Sequence, residues 1–321
     1  MSKTLIVTHT DLDGVMSGLV AKYATANESD IRYADAGAAG IDAVLEDVLA
    51  GDDQYTQAIF LDNTPSAEML AKFHNQTNLT PTVYDHHVSN QDVWESATVD
   101  ATFVTDQTGT SSATELAFND NQTALAKLPF LPVLVKLTNL YDTWTWQDER
   151  YADEQQTGQH AQVFNEVLNF IGRDRFSAFM DEAANKTFAE ADVPSAVLAT
   201  IFSDLIMALV YERIKSNQDY VAKKAEKAEF ADLVLPDKTY HYAYTTASSQ
   251  MSEIGNALTN LPDVDFGLVI NNGKLSFRVA KDKDVDVSVI AGHFNGGGHA
   301  KASGAKLVMD WPTIIQNARN K

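Results

Sequence analysis

The sequence predicts an α/β protein in three parts: an N-terminal domain with a mainly parallel sheet flanked by helices, a connecting helix, and a smaller C-terminal α/β domain with a mixed sheet. Two observations lead there. In the first half, short runs rich in β-branched or aromatic residues alternate with helical periodicity, and strand, helix, strand, helix implies parallel strands with helices on both faces. In the last third, strand-like alternation surrounds an Asn272-Gly273 pair, a hairpin signature.

Taken in order, residues 4–8, 31–34, 58–61 and 81–84 read as strands, each short and bounded by polar punctuation. Residues 14–26, 41–49 and 66–74 read as the helices between them, and a further apolar helical stretch begins near Leu131. Residues 150–230 read as helical. Within them, 193–230 carries apolar residues at helical spacing and then a Lys-rich polar continuation, as a connecting helix with a solvated end would. Strands are expected again around 231–238 and 241–246, with the hairpin joining 267–270 to 274–279; M-S-E-I-G-N-A-L, residues 251–258, reads as a helix. The expected domains are 1–190, a connector over 191–229, and 230–321.

Composition narrows the class. The chain has 321 residues, 45% hydrophobic and 21% charged, which is ordinary for a globular protein with a sizeable core. No window approaches the roughly 18 apolar residues of a membrane span, and Met-Ser-Lys runs directly into a strand-like segment without a secretory h-region, so a cytoplasmic location is expected. There are no cysteines, which leaves His and carboxylate as the ligands for any metal. A formal charge of −20 argues against gripping long duplex nucleic acid, but not against a short phosphorylated substrate.

The polar residues gather at strand ends. The first strand ends in H-T-D-L-D-G, with His9, Asp11, Asp13 and then Gly14; the third ends in L-D-N-T-P, with Asp62; the fourth ends in D-H-H, with Asp85, His86 and His87. Asp142 closes the helical stretch L-T-N-L-Y-D-T-W. In a parallel sheet, ligands sit beyond the carboxyl ends of the strands, near a switch point. Alone, each Asp is an ordinary cap or turn residue. Together, carboxylates this close repel and call for cations, and an acid and imidazole mixture without sulfur suits two ions of the Mn²⁺ type. Two weaker features accompany them. T-G-T-S-S-A-T-E-L, residues 108–116, reads as a capping box on Ser111 or Ser112 with Glu115, or as a phosphate-facing helix start. Trp144 and Trp146 read as core or domain-interface aromatics, or as base-stacking rings.

These motifs resemble, in order, the four motifs of the DHH phosphoesterase superfamily, and V-I-A-G-H-F-N-G-G-G-H-A-K-A-S-G-A near the C-terminus resembles the G-G-G-H signature of its DHHA1 domain. The H-x-D-L-D-G opening and the Y-D-T-W segment look most like the nanoRNase B-type oligoribonucleases and their cyclic-nucleotide phosphodiesterase relatives. The resemblance implies an active-site cleft between a DHH and a DHHA1 domain. It implies one metal on Asp11 and Asp62, with His9 either a third ligand or an outer histidine. The other metal falls to Asp13, Asp62, His86 and Asp142, with Asp62 bridging. His87 would face the substrate phosphate while Asp85 orients an imidazole. Arg278, Gly296, Gly297, Gly298 and His299 would bind the substrate end, through a glycine backbone free to approach it closely.

The implied activity is a Mn²⁺-dependent phosphodiesterase, with Mg²⁺ or Co²⁺ as other ions, acting on RNA of two to five nucleotides or on linear or cyclic dinucleotides. A phosphatase for 3′-phosphoadenosine 5′-phosphate, a pyrophosphatase and a non-catalytic nucleotide sensor are the alternatives. The sequence leaves substrate choice, polarity and the number of subunits, one or two, open.

Overall fold

The computed structural model describes residues 3–96, 100–151, 156–236, 238–280 and 282–306, without the side chains of Glu149 and His299. It divides into two compact units, residues 1–212 and 213–321.

The first unit begins with alternating elements: β1 (Lys3–Thr8), α1 (Leu12–Ala24), β2 (Glu28–Tyr33), α2 (Ala38–Ala50), β3 (Gln57–Leu61), α3 (Ala67–Thr77) and β4 (Thr82–Asp85). The short α4 (Gln91–Trp94) leads into β5 (Thr102–Thr105). The five strands form one sheet, all parallel, in the order β2-β1-β3-β4-β5. The chain leaves β1 toward β2 and then crosses back to β3, so the switch point lies between the carboxyl ends of β1 and β3. Alternation along the strands covers both faces. Leu5 and Val7 of β1 join Ile41, Leu45, Leu70 and Phe73 of α2 and α3, where Phe73 meets Phe60 edge to face at 5.4 Å. Each such buried side chain stabilises the fold by roughly 1.5–3 kcal/mol.

Helices α5 (Ala113–Asp120), α6 (Gln122–Leu125), α7 (Leu131–Asp142), α8 (Thr157–Ile171), α9 (Arg173–Ala183) and α10 (Pro194–Ile201) follow. Pro132 in the first turn of α7 costs it no internal hydrogen bond. The stretch that reads as one connecting helix is two helices, α10 and α11 (Asp204–Glu226), bent by 120°. The break has a local cause. Phe202 is extended (φ −105, ψ 147), and the Ser203 hydroxyl accepts a hydrogen bond from the Ile206 amide, starting α11 afresh. Among the described residues, no single helix is long and apolar enough to cross a membrane.

The second unit holds β6 (Glu229–Val234), β7 (Thr239–Thr246), α12 (Met251–Thr259), β8 (Phe266–Asn271), β9 (Lys274–Arg278), α13 (Val287–Gly292), β10 (Gly297–His299) and β11 (Ala302–Lys306). Its sheet runs β10-β11-β9-β8-β7-β6; only β7 and β8, joined through α12, are parallel. Asn272 (φ 47) and Gly273 (φ 80) form the expected hairpin turn. One face packs on α12 and the end of α11, the other on α13.

Candidate metal centre

The first motif is built where β1 turns into α1. Asp11 is the N-cap, its Oδ1 accepting from the Gly14 amide at 3.0 Å, which leaves Oδ2 3.0 Å from His9 Nδ1. The crossing is tight: a Cβ on Gly14 would lie 2.3 Å from the His9 carbonyl oxygen. Asp13, 1% exposed, points the other way. Its two carboxylate oxygens accept from the amides of Ala113 and Thr114, both at 2.8 Å, at the start of α5. The positive end of that helix thus holds a buried carboxylate in place.

Asp62 ends β3 in the left-handed region (φ 54), with its amide donating to the Tyr84 carbonyl at 2.8 Å. This conformation, uncommon outside glycine and Asn/Asp, leaves its carboxylate between the histidines. Oδ2 lies 3.4 Å from His9 Nδ1, and Oδ1 lies 3.5 Å from His86 Nε2 and 3.8 Å from His87 Nδ1. His86 Nε2 also stands 3.3 Å from Asp142 Oδ2 and 3.8 Å from Asp13 Oδ2.

The side chains therefore gather into two main ligand sets, His9 with Asp11 and Asp62, and Asp13 with His86 and Asp142; in each, the candidate atoms lie within 4.8 Å of one another. Asp62 stands in the first set and beside the second through His86. His87 forms a third combination with Asp62 and His86, but its Nδ1 is engaged elsewhere, 2.7 Å from Asp85.

The electrostatics fit a cation. Asp62 Oδ2, His86 Nε2 and Asp142 Oδ2 are buried without hydrogen-bond partners, a costly arrangement for polar atoms. Burial, then the neighbouring Asp11 and Asp13, pushes the Asp62 carboxyl well above its usual range; burial and Asp13 do the same to Asp142. Burial alone would lower His9, but its contacts with Asp11 and Asp62 prevail and raise it to about 10. A divalent ion would replace those protons with stronger positive charge at these atoms.

Asp85 is fully buried behind this group. It accepts from the His87 amide at 3.1 Å, from Asn90 Nδ2 at 2.7 Å and from the Thr64 hydroxyl, which itself accepts from Trp94 Nε1 at 3.1 Å. Burial would raise its carboxyl, but these hydrogen bonds, led by that from His87, hold it below the usual range. Asp85 thus orients His87 through its Nδ1.

Several of these supports were not singled out from the sequence: Thr64, Asn90 and Trp94 around Asp85, and Asp106 and Asn139 around Asp13. Asp106 accepts from the amides of Thr108, Thr110 and Ser111, each at 2.8 Å, and Asn139 Oδ1 accepts from the Ser112 amide at 2.6 Å. Asn139 lies three residues before Asp142 on one helix face, the one signal that spacing offered. Residues 108–116 form the cap: Ser112 Oγ accepts from the Glu115 amide, and the amides next to it serve Asp13.

In the second unit, the G-G-G-H segment runs into an edge strand, where Gly297–His299 pairs antiparallel with Ala302–Gly304. The close approach at Gly296 is to the protein itself, since a Cβ there would lie 2.1 Å from the Gly304 carbonyl oxygen. Gly298 has φ +136. The Arg278 guanidinium bonds Ser276, the Phe277 carbonyl and Ser252, and burial pushes it down from its usual value. The His299 side chain lies outside the described residues.

No family model matches the chain. It is 27% identical over 317 residues to oligoribonuclease NrnB of Bacillus subtilis, covering 94% of this chain and 72% of that one. It is 24% identical over 334 residues to a 3′,5′-cyclic-nucleotide phosphodiesterase of Helicobacter pylori, covering 96% and 93%. Among solved structures, a DHH domain from the s1p family of ribosomal proteins shares the fold at TM-score 0.64 and 16% identity, over 99% of this chain and 85% of that one. Exonuclease RecJ bound to manganese does so at TM-score 0.55 and 10% identity, over 98% and 88%. The ordered motifs, the sheet topology and these similarities are consistent with the DHH/DHHA1 phosphoesterase superfamily.

Proposed function

We propose that this protein is a divalent-metal-dependent phosphodiesterase that hydrolyses oligoribonucleotides of two to five nucleotides to mononucleotides, with linear or cyclic dinucleotides as further substrates. The observation that carries the reading is the pair of carboxylate and imidazole sets around Asp62, three of whose atoms are buried without a hydrogen-bond partner. The names of the two relatives support the phosphodiester as the bond attacked.

His9, Asp11 and Asp62 would hold one ion, and Asp13, His86 and Asp142 the other with Asp62 between them; oxygen and nitrogen donors without sulfur suit Mn²⁺, with Mg²⁺ or Co²⁺ as substitutes. Two such ions would supply a hydroxide near neutral pH and neutralise charge on the phosphate. The chain's own residues do the rest. Asp85 would orient His87, which would face a phosphoryl or leaving oxygen as a hydrogen-bond or proton donor. Asp106, Asn139 and the start of α5 keep Asp13 from moving as charge changes. Arg278, Gly296, Gly297, Gly298 and His299 are the proposed contacts to the substrate end. The −20 charge is compatible with this substrate, since so short a chain has few phosphates to neutralise.

The test is product analysis with Mn²⁺ on labelled RNAs of two, five and twenty-four nucleotides, a cyclic dinucleotide, 3′-phosphoadenosine 5′-phosphate and pyrophosphate. Mononucleotides released fastest from the two shortest RNAs are the expected result. Preference for the phosphomonoester or for pyrophosphate, or no hydrolysis with metal bound, would replace this reading.

A further inference from the structure

The turn after Asp142 carries three aromatic rings in mutual contact. Tyr141 stacks on Trp146 (centroids 6.1 Å apart, planes at 19°), and Trp144 meets Trp146 edge to face (5.8 Å, 75°) and Tyr141 at a tilt (6.0 Å, 58°). All three are partly buried, not core. Their roles differ. Trp146 is fixed: its amide donates to the Leu140 carbonyl at 3.1 Å, its own carbonyl presses on Gly158, and its indole nitrogen is closed off from solvent. Trp144 is only partly buried. Among the described residues, no ring lies flat on either of its faces.

Its backbone is the telling feature. Trp144 has φ 57, a left-handed conformation that bulky residues rarely adopt and that glycine or asparagine would hold with little penalty. A bulky ring kept at such a position points to a task for the ring. The strain is two residues from Asp142, whose carboxylate stands 3.3 Å from His86. Two residues span at most about 7 Å, so the indole begins within one nucleotide's length of the ligand sets.

We propose that Trp144, propped by Trp146 and Tyr141, is a stacking platform for the nucleobase beside the phosphate taken by the metal centre. This rests on the phosphodiesterase reading of that centre. An indole face takes any flat π-system and does not read hydrogen-bonding edges, so the platform accepts all four bases, purines ahead of pyrimidines by ring area. It also gives a strongly acidic chain a source of affinity other than phosphate contacts.

The test compares adenosine 5′-monophosphate with ribose 5-phosphate, each titrated calorimetrically into the full chain with Mn²⁺. The parent should bind the nucleotide roughly five- to hundredfold more tightly, the worth of one stacked base. Trp144→Gly and Trp144→Asn, both suited to the left-handed turn, should lose that margin while keeping ribose 5-phosphate affinity and melting temperature. Trp144→Phe should retain most of it. An unchanged margin in Trp144→Gly, no margin in the parent, or equal weakening of both ligands with a lower melting temperature would overturn the platform. Failure of the phosphodiesterase reading shows separately, as absence of diribonucleotide hydrolysis with the margin intact.

Discussion

Replacing Asp62 by asparagine is expected to stabilise the metal-free protein and to abolish its activity, two effects of one cause. Asp62 is 4% exposed, its oxygens lie 3.4 and 3.5 Å from two imidazoles, and burial together with Asp11 and Asp13 resists its ionisation. Two like charges about 4 Å apart repel by about 4 kcal/mol at an effective dielectric near 20. The imidazoles offset part of this, leaving a cost of about 1–3 kcal/mol at pH 8. Asparagine keeps the shape of the side chain and tolerates φ 54, so the variant should recover that energy without backbone strain. In a unit of this size, each kcal/mol raises the melting temperature by about 2–4 °C. The same change removes a carboxylate set among both groups of ligands. A metal centre supplies several kcal/mol of transition-state stabilisation, so kcat/KM should fall by about 10³-fold or more. Thermal melts in chelator and initial rates in saturating Mn²⁺ on a labelled pentaribonucleotide read both effects. His9→Ala should lose less activity, because His9 stands in one set only. A variant that melts below the parent without metal, or whose rate stays within tenfold of it, would refute the reasoning.

Three further outcomes are expected. Metal affinity should rise with pH between 6 and 8, with protons released on binding, because His9 is held up to about 10 and Asp62 and Asp142 are held above their usual range until a cation arrives. The raised His9 contributes stability that is complete below its ordinary 6.5 and lost toward 10, and the raised carboxyls penalise the fold once pH exceeds their ordinary 3.8. Metal-free melting temperatures should therefore fall with rising pH; a pH-independent affinity in calorimetry would contradict this. Asp85→Asn should lower kcat by about 10²–10⁴-fold by releasing the His87 tautomer, with Thr64→Val a milder copy, both read from pH-rate profiles; equal activity would remove His87 from proton transfer. Gly14→Ala should destabilise by about 3 kcal/mol or more, since its Cβ would sit 2.3 Å from the His9 carbonyl oxygen; an unchanged melting temperature would contradict the tight crossing.

Much of the first unit was legible because hydrophobic alternation and residue type agree there. The four strands read from the sequence match β1 to β4 to within a few residues, and each candidate ligand lies at an element end. T-F-V-T at β5 is too short and too exposed to stand out by pattern, and only pairing with β4 identifies it. The break between α10 and α11 was hidden for another reason. Apolar spacing continues through it, and one serine cap and one extended phenylalanine decide the matter locally. The supports of the site were least legible: Asp106 and Asn139 act on Asp13 through backbone amides, which have no side-chain signature. In the glycine run, a close approach within the protein was not legible either: Gly296 packs tightly against Gly304.

The position of the centre follows from the topology. Because β1 and β3 are neighbours whose following helices leave in opposite directions, their carboxyl ends open a gap that no crossover covers. The first and third motifs sit at those two ends, the D-H-H of β4 is next in the sheet, and α7 delivers Asp142. Carboxylates that burial would otherwise force apart are held there by fixed backbone: the start of α5 for Asp13, the helix cap for Asp11, and the left-handed turn for Asp62. None of these holds depends on a cation, so the geometry is set before one arrives. The penalty of assembling like charges is met by folding, and the binding of cations would recover it. Removing metal should thus leave the sheet intact and the site assembled but electrostatically strained, which is why the asparagine variant is expected to gain stability where it loses function.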